Sequence, residues 1–469
     1  MKKTIIVESR VFNPHPIFPL ATKAGPFLFM SGQSGLDPVT GLPIHSYNDL
    51  GGKRPYPALG MMAPDSWEEA LIAQSARAYE TLDVILRGHG GSKESVLFYS
   101  IYLRDMRNFP VLVRARSSLF EGGFAPPSTA SQVPDLLLPE ALVYFDPIAL
   151  VPHEDITTSS RVVLNSAHLN QGPLSNYQLG TRVGAYLFFA GIVAAYPETD
   201  FIVRSSRDLN RSDRLAPDGN LAVRLMHDPV AAQTHCIYEF FGKLLAEQGA
   251  RLEDLLKINI YVRRMADLPA IENVSRHFLK GSLPAASIIG VQTLAMRDFL
   301  IEIEGIALVP GMGVERRSLR EIKGASAWGH HAIATVAGGL AFVSALVGYD
   351  SGQDKVVLSG SDLEAAGRAI LERALGVRPP RSASEVTAAA QAVSVFRQLE
   401  RVLASVGSSL SDTLKITVHL REMRDFAVVQ EVARVVFEDS PPALTVMAVD
   451  DLPLAVARLQ VEAFAVAAR

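Results

Sequence analysis

Three side chains of this sequence are of types that transfer protons: His331, Glu302 and Tyr177. His331 follows a second histidine in "ASAWGHH", and histidine is the side chain whose unperturbed pKa lies nearest to neutral pH. A carboxyl group or a phenol beside it would permit general acid–base catalysis. Each residue also has a purely structural interpretation: a packed or loop histidine, an exposed strand glutamate and a packing aromatic.

Anion binding is the second kind of chemistry that the sequence offers. The segment "RSSRDLNRSDRLAPDGNLAVR" is rich in arginine, and Arg204, Arg207 and Arg224 are candidates for reaching over a substrate cleft. A planar guanidinium can hold a carboxylate by two parallel hydrogen bonds. The alternative is that this charged run is only a solvated loop.

Several other classes of site and location find no support in the sequence. It contains no HxH, CxxC, GxxxxGK or GxSxG arrangement, so we expect no metal and no cofactor. The one cysteine, Cys236, cannot form an internal disulfide, which favours a reducing, cytoplasmic location. A net charge of −4 gives no reason to expect nucleic acid, and the longest apolar stretch, 185–196, is too short for a membrane span. We therefore expect a small-molecule substrate.

The elements that position these side chains form a repeat. The chain has 469 residues, a length that predicts about three domains. Nine residues recur at intervals of 159 and 158 residues, as "IYLRDMRNF", "IYVRRMADL" and "VHLREMRDF". The same spacing separates Gln74, Gln233 and Gln391, and also Gly90, Gly249 and Gly407. A fixed period with several shared landmarks indicates one structural unit written three times.

Each repeat has the same predicted order: opening strands, helix, strand, helix and closing strand. The repeated glycine follows the first helix, as a left-handed C-terminal glycine would. The closing strand of the second repeat alternates Ile301 and Ile303 with Glu302 and Glu304, which predicts a strand with one buried face.

We therefore predict three domains, 1–152, 153–310 and 311–469, each with an insert after its opening strands. The inserts are 42–66, 196–228 and 349–386. The third contains "SDLEAAGRAILERAL", which predicts an added helix capped by Ser361.

The order and spacing of these motifs resemble the Rid family, the YjgF-like enamine/imine deaminases. The resemblance is carried by "AGPFLFMSGQSGLDPVTG", the helix after it, the nine-residue repeat, a proline-led strand and an "EIEGIALV"-type ending. It implies an α+β fold of three tandem chorismate-mutase-like domains that form an intramolecular pseudo-trimer. Sites would lie in the clefts between neighbouring domains.

The resemblance also assigns positions to the site residues. The family holds its substrate carboxylate with an arginine in a "P-A-R-S" turn, and it further uses a tyrosine, a glutamate and a polar turn. The corresponding residues are Ser128, Ala286 and Leu444 for the arginine; Phe18, Tyr177 and His331 for the tyrosine; Tyr144, Glu302 and Gln460 for the glutamate; and Ser31 and Gln33 for the turn. With no arginine at the first position, the substrate is expected to be larger or less simply anionic than 2-aminoacrylate.

From this pattern we predict that His331 and Glu302 act together in the cleft between domains two and three. Tyr177 is the third catalytic candidate. The predicted substrate-binding residues are Ser128, Tyr144, Ser31, Gln33, Arg204, Arg207 and Arg224.

The predicted activity is a cofactor-independent, Rid-like hydrolysis of an enamine, imine or related activated C–N bond of a specialised metabolite. Two alternatives stay open: a hydrolase, cyclase or lyase acting on a cyclic or aromatic intermediate, and a small-molecule-binding module without catalysis. Because three copies in one chain can complete their own clefts, we expect a monomeric pseudo-trimer or a dimer of pseudo-trimers.

Overall fold

Three large β-sheets organise the chain, and helices cover the outer face of each sheet. The structure is a computed structural model that describes residues 1–52, 64–120, 125–166, 177–196, 201–209, 228–350 and 352–468. We name the sheets with their helices unit 1, unit 2 and unit 3 in chain order. The α+β architecture and the tandem arrangement predicted from the sequence are confirmed.

Unit 1 contributes the first strands and helices. Its strands are β1 (Lys3–Ile6), β2 (Ala21–Ala24), β3 (Phe27–Met30), β4 (Val96–Leu103), β5 (Ser128–Gln132), β6 (Asp135–Leu136) and β7 (Val143–Leu150), and its helices are α1 (Pro64–Arg87) and α2 (Phe109–Leu119). Its sheet has the order β1-β2-β3-β7-β4-β5, in which β4 and β5 run parallel.

Unit 2 repeats this order. Its strands are β8 (Val162–Leu164), β9 (Gly180–Val183), β10 (Tyr186–Val193), β11 (Ala195–Tyr196), β12 (Phe201–Ile202), β13 (Leu255–Val262), β14 (Ala285–Gly290), β15 (Thr293–Leu294) and β16 (Ile301–Leu308), and its helices are α3 (Pro229–Glu247) and α4 (Leu268–Phe278). Its sheet has the order β8-β9-β10-β16-β13-β14.

Unit 3 has one more helix than the others among the described residues. Its strands are β17 (Arg316–Leu319), β18 (Ala334–Ala337), β19 (Leu340–Val347), β20 (Tyr349–Asp350), β21 (Lys355–Val356), β22 (Thr413–Leu420), β23 (Ala443–Ala448) and β24 (Leu459–Val466), and its helices are α5 (Ala365–Val377), α6 (Ala383–Ser405) and α7 (Phe426–Phe437). The added helix α5 lies where the third insert predicted one. Its N-cap is Glu364, so the prediction that Ser361 caps it is wrong: Ser361 lies in a preceding 3-10 turn.

The repeated glycines and glutamines fix the first long helix of each unit. Gly90, Gly249 and Gly407 have φ angles of 80°, 73° and 68°, the left-handed conformation expected after a helix. Gln233 is buried, donates to the carbonyl oxygens of Val203 and Asp298, and accepts from the amide of Leu300. Gln74 and Gln391 make the equivalent three bonds in their own units.

The three units close into a ring within the single chain. A threonine of each unit donates its hydroxyl to a carbonyl oxygen of the preceding unit: Thr181 to Leu97 at 2.7 Å, Thr335 to Leu256 at 2.7 Å and Thr22 to Leu414 at 2.6 Å. The short strand β15 extends the sheet of unit 1, and β6 extends that of unit 3. The third junction is a bridge between Gly290 and Asp451.

The sheets face one another at the centre of the ring. Aromatic residues of all three units pack there, among them Phe27, Phe188, Phe342 and Phe464. Beside them lies a small axial cavity with a volume of about 30 Å³, into which β4, β7, β13, β16, β22 and β24 present charged and polar side chains. This packing corrects the strand prediction: all eight residues of β16 are buried, because the second face of the strand lies against a neighbouring unit.

Within the described residues, no helix combines the length and the apolar character needed to cross a bilayer.

Candidate active site

The interface of units 1 and 2 brings Tyr177 close to Ser128. Tyr177 forms a parallel bridge with Ala125, and the amide of Gln178 donates to the Ala125 carbonyl oxygen at 2.9 Å. Ser128 begins β5 three residues later. The tyrosine position of unit 2 and the arginine position of unit 1 therefore share one interface.

Glu302 belongs to the same interface. It lies on β16 of unit 2 behind Gly191, where an added Cβ would stand 2.0 Å from Glu302 Oε1 and 2.8 Å from Thr129 Oγ1 of unit 1. The glycine thus lets the carboxyl and the hydroxyl approach each other. Burial, assisted by the charge of Glu304, raises the pKa of Glu302 to about 8, so its carboxyl is protonated at neutral pH. Its Oε2 has no hydrogen-bond partner among the described residues.

Arg116 supplies a guanidinium to this interface from helix α2 of unit 1. Its side chain is fully buried, and Nη1 donates to Ser128 Oγ at 3.0 Å. The centre of the guanidinium lies 5.4 Å from the centre of the Tyr177 ring, within cation–π range. At the same spacing, units 2 and 3 carry Ser275 and Ala433, so unit 1 alone has an arginine at this helix position.

Glu304 marks the inner end of the interface, where it meets the axial cavity. It accepts hydrogen bonds from Asn259 Nδ2 at 2.8 Å, Tyr261 OH at 3.0 Å and Ser100 Oγ at 3.2 Å. Burial raises its pKa to about 7, despite these hydrogen bonds. This interface therefore holds two buried carboxyl groups whose pKa values lie near neutrality, Glu302 and Glu304.

The interface of units 2 and 3 holds His331 without Glu302. The amide of Ala332 donates to the Pro284 carbonyl oxygen at 2.9 Å, which places the neighbouring His331 against unit 2. His331 Nδ1 lies 3.3 Å from the Trp328 carbonyl oxygen and 3.7 Å from Glu272 Oε1, and burial lowers the pKa of His331 to about 4.

The glutamate position of the interface of units 2 and 3 is filled by Gln460, whose Nε2 donates to the Ile288 carbonyl oxygen at 2.8 Å. The prediction that His331 and Glu302 share a cleft is wrong. The tyrosine and glutamate positions of one unit lie together and face the arginine position of the preceding unit.

The interface of units 3 and 1 holds three more of the predicted residues: Ser31, Gln33 and Tyr144. Each of them is engaged by neighbouring groups of the protein. Ser31 Oγ donates to the Pro19 carbonyl oxygen at 2.6 Å and accepts the amide of Leu444 at 2.9 Å. Gln33 Nε2 donates to the Ser31 carbonyl oxygen at 2.7 Å. The ring of Tyr144 packs where a Cβ on Gly32 would stand 2.1 Å away, and burial raises the pKa of Tyr144.

One serine distinguishes the interfaces. Ser344 Oγ accepts the amide of Ala286 at 2.8 Å, as Ser31 does for Leu444. In unit 2 the equivalent residue is Ala190, which has no hydroxyl to offer the amide of Ser128. The interface of units 1 and 2 therefore combines a guanidinium, a neutral carboxyl and a backbone amide that no serine of this kind occupies.

Comparison with known proteins agrees with this architecture. The model of the family described as endoribonuclease L-PSP matches residues 169–309 and 375–468, together half of the chain. A RutC family protein of Pyrococcus horikoshii is 37% identical over 135 residues, which are 29% of this chain and 88% of that protein. The chain belongs to this family.

This L-PSP family chain is also similar to two further proteins. A protein of Dermatophagoides farinae named 2-iminobutanoate/2-iminopropanoate deaminase is 30% identical over 81 residues, 17% of this chain and 62% of that protein. A crystal structure of a chorismatase superimposes with a TM-score of 0.47 at 15% identity, covering 80% of this chain and 93% of that one.

The remaining arginine candidates of this L-PSP family protein lie elsewhere. Arg204 is exposed and forms an ion pair with Asp298 at 2.6 Å, and Arg207 is exposed in a 3-10 turn. Arg224 lies outside the described residues. Arg116 was missed because it stands twelve residues before the position that the resemblance assigns to an arginine. Its sequence signal is a guanidinium in the buried stripe of α2, one turn after Leu112.

Proposed function

We propose that this protein is a cofactor-independent hydrolase of the Rid type, which deaminates a carboxylate-bearing enamine or imine at the interface of units 1 and 2. The observation that carries the proposal is the hydrogen bond from Arg116 Nη1 to Ser128 Oγ. It puts a guanidinium beside the position at which the resemblance assigns the carboxylate-binding arginine. The name of the Dermatophagoides farinae relative supports the same reaction class.

Substrate binding follows from charge and hydrogen bonding. The Arg116 guanidinium attracts the substrate carboxylate, and Ser128 offers its hydroxyl and its amide to the same group. Tyr177, whose ring lies against the guanidinium, covers the planar C=N or C=C part of the substrate. A buried cation of this kind favours an anionic substrate over a neutral one. It substitutes for the missing family arginine, whose absence by itself predicts a less simply anionic substrate.

Proton transfer falls to Glu302. Its neutral carboxyl protonates an enamine carbon to give the imine, or protonates the imine nitrogen directly. Water then adds to the imine carbon, the carbon–nitrogen bond breaks, and ammonia leaves with a carbonyl product. The Glu302 carboxylate regains its proton from the attacking water, so that the cycle consumes one water and no cofactor.

The test is ammonia release from enamines and imines generated in the same vessel from amino acids by a separate enzyme. We expect the protein to accelerate ammonia release from at least one carboxylate-bearing imine, with an equimolar carbonyl product. Stabilisation by such compounds without turnover would instead support a binding module. Conversion of a cyclic substrate without ammonia release would support a cyclase or lyase, and either outcome would overturn the deaminase proposal.

A further inference from the structure

An ammonium group of the chain fills the inner end of the interface of units 2 and 3. Lys257 Nζ of unit 2 lies 2.5 Å from Ser287 Oγ and 2.7 Å from Glu462 Oε2 of unit 3. All three side chains are buried. Burial alone would raise the pKa of Glu462, but the charge of Lys257 holds this pKa below its ordinary value.

The interface of units 3 and 1 repeats this arrangement. Lys415 Nζ of unit 3 bonds Thr445 Oγ1 at 3.0 Å, forms an ion pair with Asp146 of unit 1 and donates to the carbonyl oxygen of Met30. Thr445 Oγ1 donates to Asp146 Oδ1 at 2.7 Å. Each of these two interfaces thus contains a lysine, a hydroxyl and a carboxylate in contact.

The interface of units 1 and 2 has the hydroxyl and the carboxylate but no lysine. Thr129 and Glu304 occupy the strand positions of Thr445 and Asp146, and the lysine position is Phe98. Thr129 is 2% exposed, and its Oγ1 has no partner at hydrogen-bond geometry among the described residues, although it lies near enough to Glu304 to lower the pKa of that carboxyl.

The axial cavity lies beside the Glu304 carboxylate. The axial cavity is lined on this side by Phe98, Ser100, Asn259 and Glu304. Thr129 is therefore a buried hydroxyl without a partner at hydrogen-bond geometry in the described part of the chain, close to a carboxylate that lines the cavity. Both equivalent hydroxyls bind an ammonium nitrogen. A buried hydroxyl without a partner is unfavourable, and a ligand that bonds it would relieve that penalty.

We propose that the interface of units 1 and 2 binds an ammonium group between Thr129 Oγ1 and the Glu304 carboxylate, as the free ammonium ion or the –NH3+ terminus of a small amine. The two lysines show which chemistry this geometry accepts: a tetrahedral N–H donor with one positive charge. One carboxylate suits a monovalent cation.

This inference deepens the proposed function, on which its biological meaning rests, because ammonia is the product of a deamination. Glu302 Oε1 and Thr129 Oγ1 both lie within reach of the same point behind Gly191, so the ammonium site is continuous with the candidate active site. The binding itself is tested without turnover, so a failed deaminase assay would not decide it.

The experiment is thermal unfolding at about pH 8, with ammonium chloride replacing tetramethylammonium chloride at constant ionic strength. Tetramethylammonium carries the same charge but no N–H. We expect a saturable rise in melting temperature of roughly 2 °C or more for the wild type. In Phe98→Lys the new side chain brings its own ammonium group, so the rise should be lost.

Thr129→Val keeps the proposal falsifiable if Phe98→Lys fails to fold. Loss of the hydroxyl should raise, roughly tenfold, the ammonium concentration that gives half of the maximal rise in melting temperature. A wild-type melting temperature that does not change when ammonium replaces tetramethylammonium would overturn the proposal. So would a rise that persists unchanged in Thr129→Val.

Discussion

Arg116 Nη1 and Ser128 Oγ lie 3.0 Å apart, although one residue belongs to a helix and the other to the strand that follows it. Because the Arg116 guanidinium also lies 5.4 Å from the Tyr177 ring of unit 2, we place the candidate active site at the interface of units 1 and 2. The other two interfaces carry Ser275 and Ala433 in place of the arginine and use a serine hydroxyl to occupy the equivalent amide. The three interfaces thus have equivalent strands and helices but differ at the groups that the proposed mechanism uses.

Glu302→Gln should reduce ammonia release on the order of 10²-fold or more, because the amide cannot donate and regain a proton as the carboxyl does. His331→Ala is the matched control, since His331 lies in a different interface. We expect His331→Ala to retain nearly full kcat/KM. Equal losses in the two variants would show that the interfaces cannot be separated in this way.

Ala190→Ser should give the interface of units 1 and 2 the serine hydroxyl that accepts the equivalent backbone amide in the other two interfaces. The new hydroxyl would accept the amide of Ser128, as Ser344 accepts that of Ala286, and would remove one donor from the substrate. We expect a loss of kcat/KM of roughly tenfold with an unchanged melting temperature. The control Ser344→Ala frees the equivalent amide in another interface and should leave activity unchanged. Full activity in Ala190→Ser would show that the Ser128 amide does not contribute to the reaction.

Glu304→Gln should stabilise the protein at high pH only. Burial raises the pKa of Glu304 from 4.5 to about 7, so the stability that its protonated form contributes is complete below about pH 4.5 and is lost as the pH rises through 7. In sodium buffers we expect the variant to exceed the wild type by on the order of 3 kcal/mol above about pH 8, and to match it near pH 4.

Urea unfolding across this pH range measures the difference, with the exposed Glu372→Gln as control. Glu302, Glu462 and Lys257 face the same carboxyl and titrate in both proteins. Because the charge of Glu304 contributes to the pKa shifts of Glu302 and Lys257, the measured difference includes its coupling to these groups. A stability difference that does not vary with pH would contradict the raised pKa.

Sedimentation should give the mass of one 50.7 kDa chain or of two. The reason is that the ring is closed by contacts within the chain, from β15 on unit 1, from β6 on unit 3 and from the bridge of Gly290 with Asp451. An obligate homotrimer would require the units to pair between chains, against the hydrogen bonds described above.

The sequence predicted the elements well, because local signals determine them. The glycines after the first helices, the buried strand within 185–196 and the extra helix of the third insert follow from local residue patterns, although the residue that caps the extra helix was predicted wrongly. The two-faced burial of β16 was not predictable in this way. Alternation of isoleucine and glutamate normally means one wet face, and only the neighbouring unit buries the second.

The candidate site was predicted only in part, because it depends on how the sheets are placed. Tyr177, Glu302 and Ser128 were identified individually, yet their meeting in one interface follows from the order of the ring. Arg116 was not predicted, because a guanidinium that replaces the family arginine can come from any nearby element. The family position itself shows only that its arginine is absent.

The most direct test of the account is the kcat/KM for ammonia release in Arg116→Met compared with Arg204→Met, each checked for folding by its melting temperature. Arg204 is an exposed arginine with a surface ion pair, so its loss should change kcat/KM by less than about twofold. Loss of the buried Arg116 should lower it by on the order of 10²-fold or more, with partial recovery in Arg116→Lys. A folded Arg116→Met protein with wild-type kcat/KM would contradict the assignment of the site to the interface of units 1 and 2.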